Sequence, residues 1–253
     1  MTLSPAERAL LEPNSPQWGE HRSRYHHAAP HVAGKLVLDV ACGTGFGAAI
    51  LLASGARGVT GFDLAWDALR ETTSTPRALF CFGDGTRLPV ADQTFDVVTS
   101  FETVEHIPRY DDFLSELHRV LKPGGVLIMS TPNAIHTQPI NGVPRNPYHV
   151  KEFTPDEFHE LLAAHFSRVE VQGQRPSAAH RPCPYWEGNA PQPGLRMKLK
   201  AALWKAAARL PRNARERLWH GLRGVSFYPG ERDFVFETDD VDRAHVLVGV
   251  CER

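Results

Sequence analysis

The sequence predicts an α/β fold, with a mostly parallel, doubly wound sheet and helices on both faces. Three observations predict it. Short β-branched runs alternate with segments of helical spacing as far as residue 173. A cluster of glycines follows the first run at once. Acidic residues stand in or just after the first three runs, as Asp39, Asp63 and Asp84.

Residues 1–34 form a helical lead-in that carries Tyr25 and the histidines His21, His26, His27 and His31. These histidines show no acidic partner in sequence and are assigned to the surface. KLVLDVA (35–41) is the first strand, and AAILLASG is a helix closed by Gly55. GVTGFD (58–63) is the second strand, and DALRETT opens the second helix. ALFCFGD (78–84) and FDVVTSF (95–101) are the third and fourth strands. DDFLSELHRVL (111–121) places Phe113, Leu114, Leu117, Val120 and Leu121 on one helical face. KPGG is a turn before the fifth strand, GVLIMS (125–130). Residues 132–150, rich in Pro and Asn, form a loop. TPDEFHELLAAHF (154–166) is a helix with Thr154 as cap and Glu157 three positions on. SRVEVQG (167–173) is a sixth strand, and AHVLVGVCE (244–252) is a late one.

Between the last two strands lies an insertion, 175–235, expected to be loop and then helix. Leu195, Leu199, Leu203 and Ala207 share a face there. Arg196, Lys198, Lys200, Lys205, Arg209, Arg212, Arg215, Arg217 and Arg223 stand against Glu216 alone. Two readings are open: a helical lid with a solvated basic face, or a surface for an anionic or membrane-attached substrate, with peripheral membrane contact through 195–223.

The chain has 253 residues, 42% of them hydrophobic, enough for a proper core. A formal net charge of -1 gives no overall field toward nucleic acid or membrane. Cys42, Cys81, Cys183 and Cys251 form no CxxC pair, so reduced thiols and a cytoplasmic location are expected. The first residues show no signal-peptide pattern, and no apolar run reaches the length of a membrane span. A single domain is expected. The sequence leaves the oligomeric state open, a homodimer included.

VLDVACGTGFGA (37–48) runs from strand through glycines into helix. Gly43 and Gly45 admit a ligand close to the backbone, and the helix start favours negative groups. Gly43, Gly45 and Ala48 also satisfy a loose dinucleotide fingerprint, which keeps a dehydrogenase formally open. Asp39 weighs against it, because an acid facing the glycine turn repels a pyrophosphate but suits a cation. Asp63 is placed to accept from ribose hydroxyls, and Asp84 from an adenine amino group.

With VLDVACGTG, VTGFD, GDGTRLP, FDVV and RVLKPGG in order, the sequence resembles the class I S-adenosylmethionine-dependent methyltransferases over residues 20–173 and again at 244–252. The resemblance implies a Rossmann-like, seven-stranded sheet with the last strand antiparallel. It also implies S-adenosylmethionine as cofactor, with Gly43, Thr44 and Gly45 at the methionine part and Ala41 among the binding residues. Asp63 and Leu64 would take the ribose and Asp84, Gly85 and Thr86 the adenine, with Asp39, Phe101 and Tyr25 nearby.

FETVEHI (101–107) follows the fourth strand. Glu102, Glu105 and His106 are spaced to share a helical face, and His149 precedes a later helix. This pairing resembles terminal 2′-O-methyltransferases of small RNAs, which implies a divalent metal on Glu102, Glu105, His106 and His149. Catechol O-methyltransferases of the ubiquinone pathway share Glu-x-x-Glu-His. ETVEH, STPN and NPYHVKEF together resemble bacterial sugar O-methyltransferases of polysaccharide clusters, among them mycobacterial enzymes acting on mannose oligosaccharides. Magnesium prefers oxygen donors, so two imidazoles leave manganese open as well. His106, His149 and His136 are the candidate bases, with Glu105 beside them. Taken singly, these acids and histidines read as solvated or core residues.

The expected function is metal-assisted O-methylation of vicinal hydroxyls on a sugar or oligosaccharide. Tyr185, Trp186, Trp204 and Trp219 are candidates to stack on sugar faces. Competing readings are an RNA 2′-O-methyltransferase, a catechol or quinone-precursor O-methyltransferase, and a cofactor-binding protein without catalysis. Nucleic acid is not the expected partner, because only the insertion is basic.

Overall fold

The computed structural model describes residues 15, 17–180, 199, 202–203 and 206–253. Helix α1 (Trp18–Ala28) leads through a 3-10 turn at Ala29–His31 into strand β1 (Leu36–Val40). Helix α2 (Phe46–Ala53), β2 (Gly58–Asp63), a one-turn α3 (Trp66–Leu69) and β3 (Ala78–Phe82) follow. The second helix is thus much shorter than DALRETT suggests, with turns from Arg70 onward. β4 (Phe95–Phe101), α4 (Tyr110–Val120) and β5 (Leu121–Pro132) come next. The short α5 (Ala134–Thr137) precedes α6 (Pro155–Ala163), whose start is a full capping box between Thr154 and Glu157. β6 (Arg168–Pro176), α7 (Arg212–Arg223), β7 (Phe234–Glu237) and β8 (Val246–Glu252) complete the described chain.

The sheet order is β3-β2-β1-β4-β5-β8-β6-β7. β1 to β5 pair in parallel. β8 enters antiparallel between β5 and β6, and β7 pairs antiparallel with β6. The expectation of seven strands is therefore corrected to eight. The extra strand, FVFE, begins inside the stretch assigned to the helical insertion. Four residues after a polar turn carry too little alternation to stand out, and Gly173–Pro176 of β6 supplies the edge that orders them.

Strand alternation divides the core between the two faces. Val37, Val59, Val97 and Ile128 pack with Ala28, Ile50 and Leu51 on the side of α1 and α2. Leu38, Phe62, Val98 and Leu127 pack with Phe113, Leu114, Leu117, Phe158 and Leu162 on the side of α4 and α6. The order of the strands reverses between β1 and β4, which is where a doubly wound sheet opens a crevice.

Candidate active site

A cavity of about 590 Å³ occupies that crevice. Its floor is the set of loops leaving β1, β2, β3 and β4. α1 closes one side, and the turn after β4 with the 146–149 segment closes another.

After β1, Ala41 and Cys42 both donate their N–H groups to the Phe62 carbonyl, at 2.8 and 3.1 Å. This bends the chain into the glycine loop. Ala41, Gly43 and Gly45 all adopt left-handed backbone (φ 62°, 56° and 74°), and Gly45 caps α2. Asp63 holds this loop from β2: one carboxylate oxygen accepts from Gly43 N at 2.7 Å, the other from Ala65 N at 2.6 Å. Asp84 accepts from the backbone and the hydroxyl of Thr86, both at 2.9 Å, and these bonds hold its carboxyl below the usual range.

Tyr25, Ala41, Gly43, Asp63, Leu64, Asp84, Gly85, Thr86 and Phe101 all line the cavity. Thr44, Gly45 and Asp39 are not part of that lining. Asp39 is fully buried, accepting from Thr99 Oγ1 at 2.8 Å and from the Tyr25 hydroxyl at 3.1 Å. Burial pushes its carboxyl up to about 7, against the pull of those two bonds. Tyr25 stands edge-on to Phe46 and Phe101 and separates Asp39 from the open space.

The turn after β4 departs from a helical face. Glu102 has φ 51°, and only Val104–His106 form a 3-10 turn. Glu102 Oε1 accepts from Ser130 Oγ at 2.7 Å and lies 3.3 Å from Arg24 Nη1. The trio Glu105, His106 and His149 does converge, with one potential ligand atom from each within 4.8 Å of the others. Glu102 is not part of this trio. His136 does not join it either: it stacks on His245 with centroids 4.0 Å apart, away from the cavity lining.

The trio fits a cation. Glu105 Oε2 accepts from Thr131 Oγ1 at 3.1 Å, while the buried Oε1 has no hydrogen-bond partner among the described residues. Burial, then the Glu102 charge, holds this carboxyl well above the usual range. His106 Nδ1 lies 3.0 Å from the Tyr148 carbonyl, and His149 Nδ1 lies 2.7 Å from Glu152 Oε1. Both contacts assign the ring proton to Nδ1 and leave Nε2 as the ligating atom, the usual arrangement of metal-binding imidazoles. Glu152 is fixed in turn by Thr137 Oγ1. Asn146 Nδ2 now holds His149 Nε2 at 2.8 Å, so ligation there requires that amide to swing away.

A second polar cluster comes from α1 and is not evident from the sequence. Glu20 and His21 line the cavity. Arg24, 1% exposed, binds Gln174 Oε1 at 2.7 Å and His21 Nδ1 at 3.2 Å, with Glu20 Oε2 at 3.8 Å. Burial pushes the Glu20 carboxyl up to about 7, opposed by Arg24, and holds His21 neutral. The available signal was the i, i+4 spacing of Glu20 and Arg24. The surface assignment holds for His26, which is exposed and meets Glu231 at 3.2 Å, and is corrected for His21, which lines the cavity, and for His27, which is half-buried and stacks on Phe236.

Tyr185, Trp186 and Trp204 lie outside the described residues. Trp219 packs edge-on against Phe227, inside the α7 segment.

Residues 38–129 match the methyltransferase domain family. A probable S-adenosylmethionine-dependent methyltransferase of Mycolicibacterium smegmatis is 38% identical over 151 residues, 59% of this chain and 58% of the relative. A fatty-acid O-methyltransferase of the same organism is 39% identical over 110 residues, 41% of this chain and 40% of the relative. The chain thus spans about half the length of the curated relatives it matches. Among solved structures, an S-adenosylmethionine-dependent methyltransferase from Mesorhizobium loti shares the fold, with a TM-score of 0.55 at 17% identity over 95% of this chain and 99% of that one. Over the matched residues the chain is thus similar in sequence to S-adenosylmethionine-dependent methyltransferases, and it shares their Rossmann-like fold.

Proposed function

We propose that the chain is one methyltransferase domain that transfers a methyl group from S-adenosylmethionine to a hydroxyl of a sugar or oligosaccharide, with a divalent cation, Mg²⁺ or Mn²⁺, assisting. The observation that carries this reading is the convergence of Glu105, His106 and His149 at the cavity wall, with a buried, unpartnered carboxylate oxygen and both Nδ1 atoms already engaged. A cation chelated by two adjacent hydroxyls lowers the pKa of one of them, and the sulfonium supplies an electrophilic methyl.

The chain's own part is placement and proton handling. The glycine loop and Asp63 seat the cofactor at one end of the cavity; Asp84 and Thr86 border its purine end. Glu105, His106 and His149 hold the cation. Nε2 of either histidine cannot both ligate and take a proton, so the base is sought elsewhere. Glu20 is the cavity-lining carboxyl whose value of about 7 suits that task at neutral pH. Arg24 keeps it in place.

A second reading has its own support. Phe46, Phe62, Phe101, Ile107 and Phe113 give the cavity a largely apolar wall, and a relative acts, by its name, on fatty acids. A lipid carboxylate or hydroxyl would then be the acceptor.

The test is methyl transfer to mannose- and glucose-containing oligosaccharides, catechols, a long-chain fatty acid and short RNAs, each with EDTA, Mg²⁺ or Mn²⁺. Turnover of a glycan that EDTA abolishes and a cation restores supports the first reading. Turnover of the fatty acid, indifferent to EDTA, replaces it with the second.

A further inference from the structure

The apolar stripe of α7 is only partly covered by the rest of the protein. Its inner face carries Arg215, which is buried with its guanidinium 4.9 Å over the Phe227 ring and 4.5 Å over the Tyr228 ring. Trp219 lies one turn further along, also against Phe227. Leu218 and Leu222, at i+3 and i+7 from Arg215, continue the same stripe yet are 49% and 69% exposed. Just before this helix, Leu199, Leu203 and Leu210 are exposed as well, Leu203 at 65%. Five leucines are therefore exposed over one short segment.

The charges around them have one sign. Arg209, Arg212, Arg217 and Arg223 are exposed, and none of them meets a carboxylate within ion-pair distance among the described residues. Glu216, the segment's acid, is engaged by the Phe227 N–H at 3.0 Å and lies 4.0 Å from Arg215 Nε. Exposed apolar side chains fringed by unpaired arginines complement one kind of surface, an apolar layer behind anionic headgroups. They do not suit a second copy of this chain, because a two-fold contact would set arginine rows against each other. They do not suit nucleic acid, which offers the leucines nothing.

The segment is also tied to the cavity. The chain after α7 packs on α1: a side chain at Gly19 would meet the Pro229 carbonyl, and Glu231 pairs with Arg22 and His26. α1 is the helix that presents Glu20 and His21 to the cavity.

We infer that the exposed leucines Leu210, Leu218 and Leu222, with Arg209, Arg212, Arg217 and Arg223 around them, dock the protein peripherally on an anionic lipid surface, seating leucines among the acyl chains and arginines among the headgroups. No described helix is long and apolar enough to cross a membrane. This surface shares no residue with the cation trio and is independent of the proposed reaction.

The test is flotation of the full chain with vesicles of phosphatidylcholine alone or with about one third phosphatidylglycerol, at low and high salt. Binding is expected only to the anionic vesicles, weakening about tenfold or more in high salt, since each arginine near the surface contributes about fivefold. Leu218→Gln with Leu222→Gln is expected to lower partitioning at least tenfold. Arg217→Gln with Arg223→Gln is expected to do the same without touching an apolar residue. All four positions are exposed, so an unchanged melting temperature verifies the fold. Absence of vesicle binding, or equal binding to neutral vesicles, overturns the inference. A dimer in solution that the leucine pair abolishes overturns it in favour of a second copy.

Discussion

Arg24 and Glu102 meet at 3.3 Å although 78 positions separate them, one on α1 and the other just past the end of β4. The contact fastens the helix beside the cavity to the strand end that begins FETVEHI. Through Ser130 Oγ and Gln174 Oε1 it also reaches β5 and β6.

Removing one partner of this arrangement is costly, because Arg24 is buried and its acceptors lose their donor. Arg24→Met is expected to lower stability by about 3 kcal/mol. Urea unfolding, compared with wild type at constant m-value, measures it. An unchanged midpoint would mean that α1 is held by its apolar contacts alone.

The pH dependence of the ligand-free protein follows from Asp39 and Glu20, whose carboxyls burial raises to about 7. A raised carboxyl binds its proton more tightly folded than unfolded. Its contribution is complete below about 4 and is lost as pH rises through about 7. The Asp39 part, read as the difference between wild type and Asp39→Asn, is therefore expected to fall by a few kcal/mol between pH 5 and pH 8, since each tenfold gain in proton affinity on folding is worth about 1.4 kcal/mol. Buried His21 and His245, whose pKa values burial lowers, act in the opposite sense. Denaturation midpoints of the two proteins at the two values check this.

Glu105→Gln separates stability from function. The amide keeps a partner for Thr131 and removes a carboxyl whose charged form is disfavoured there. Ligand-free stability should hold within about 1 kcal/mol or rise, while binding of Mn²⁺, followed by paramagnetic resonance, is lost. Wild-type Mn²⁺ affinity in the variant would remove the cation from the proposed reaction.

Gly47 is the point where α2 passes Tyr25. An added Cβ would lie 2.1 Å from ring atoms of Tyr25, so Gly47→Ala must displace the ring from Asp39. The expected loss is about 1–3 kcal/mol, with weaker binding of S-adenosylhomocysteine by calorimetry. Gly43→Ala has open space at its Cβ but a left-handed backbone, so its cost is strain alone.

Much of this architecture was legible in the residue pattern, because period-two runs such as LVLDV and FDVVTSF are buried on both sides and have few alternatives. The glycine loop, Asp63 and Asp84 were legible for the same reason: chemistry and strand ends coincide in sequence. The Thr154–Glu157 cap was legible because both partners are three residues apart. What was not legible depends on distant contacts. The helical face assigned to Glu102, Glu105 and His106 dissolves because Glu102 takes a left-handed backbone and turns to Arg24 and Ser130. Glu20 becomes a cavity residue, and Arg24 its buried neighbour, only when α1 is laid against β4 and β6. His136 leaves the cavity because His245, more than a hundred positions away, offers its ring a stacking partner. β7 is a strand only because β6 has an edge.

The place of β8 between β5 and β6 has a bearing on biosynthesis. During translation β1 to β5 emerge early and can associate as they appear, but β6 and β7 have no site on that growing sheet. The strand that joins them to it, residues 246–252, is delivered long after β6 and only once β7 has also emerged. Until then the β5 edge and the β6 hairpin are both open to other chains, so the nascent protein passes through an interval of exposure that ends only when a ribosome has released residue 252.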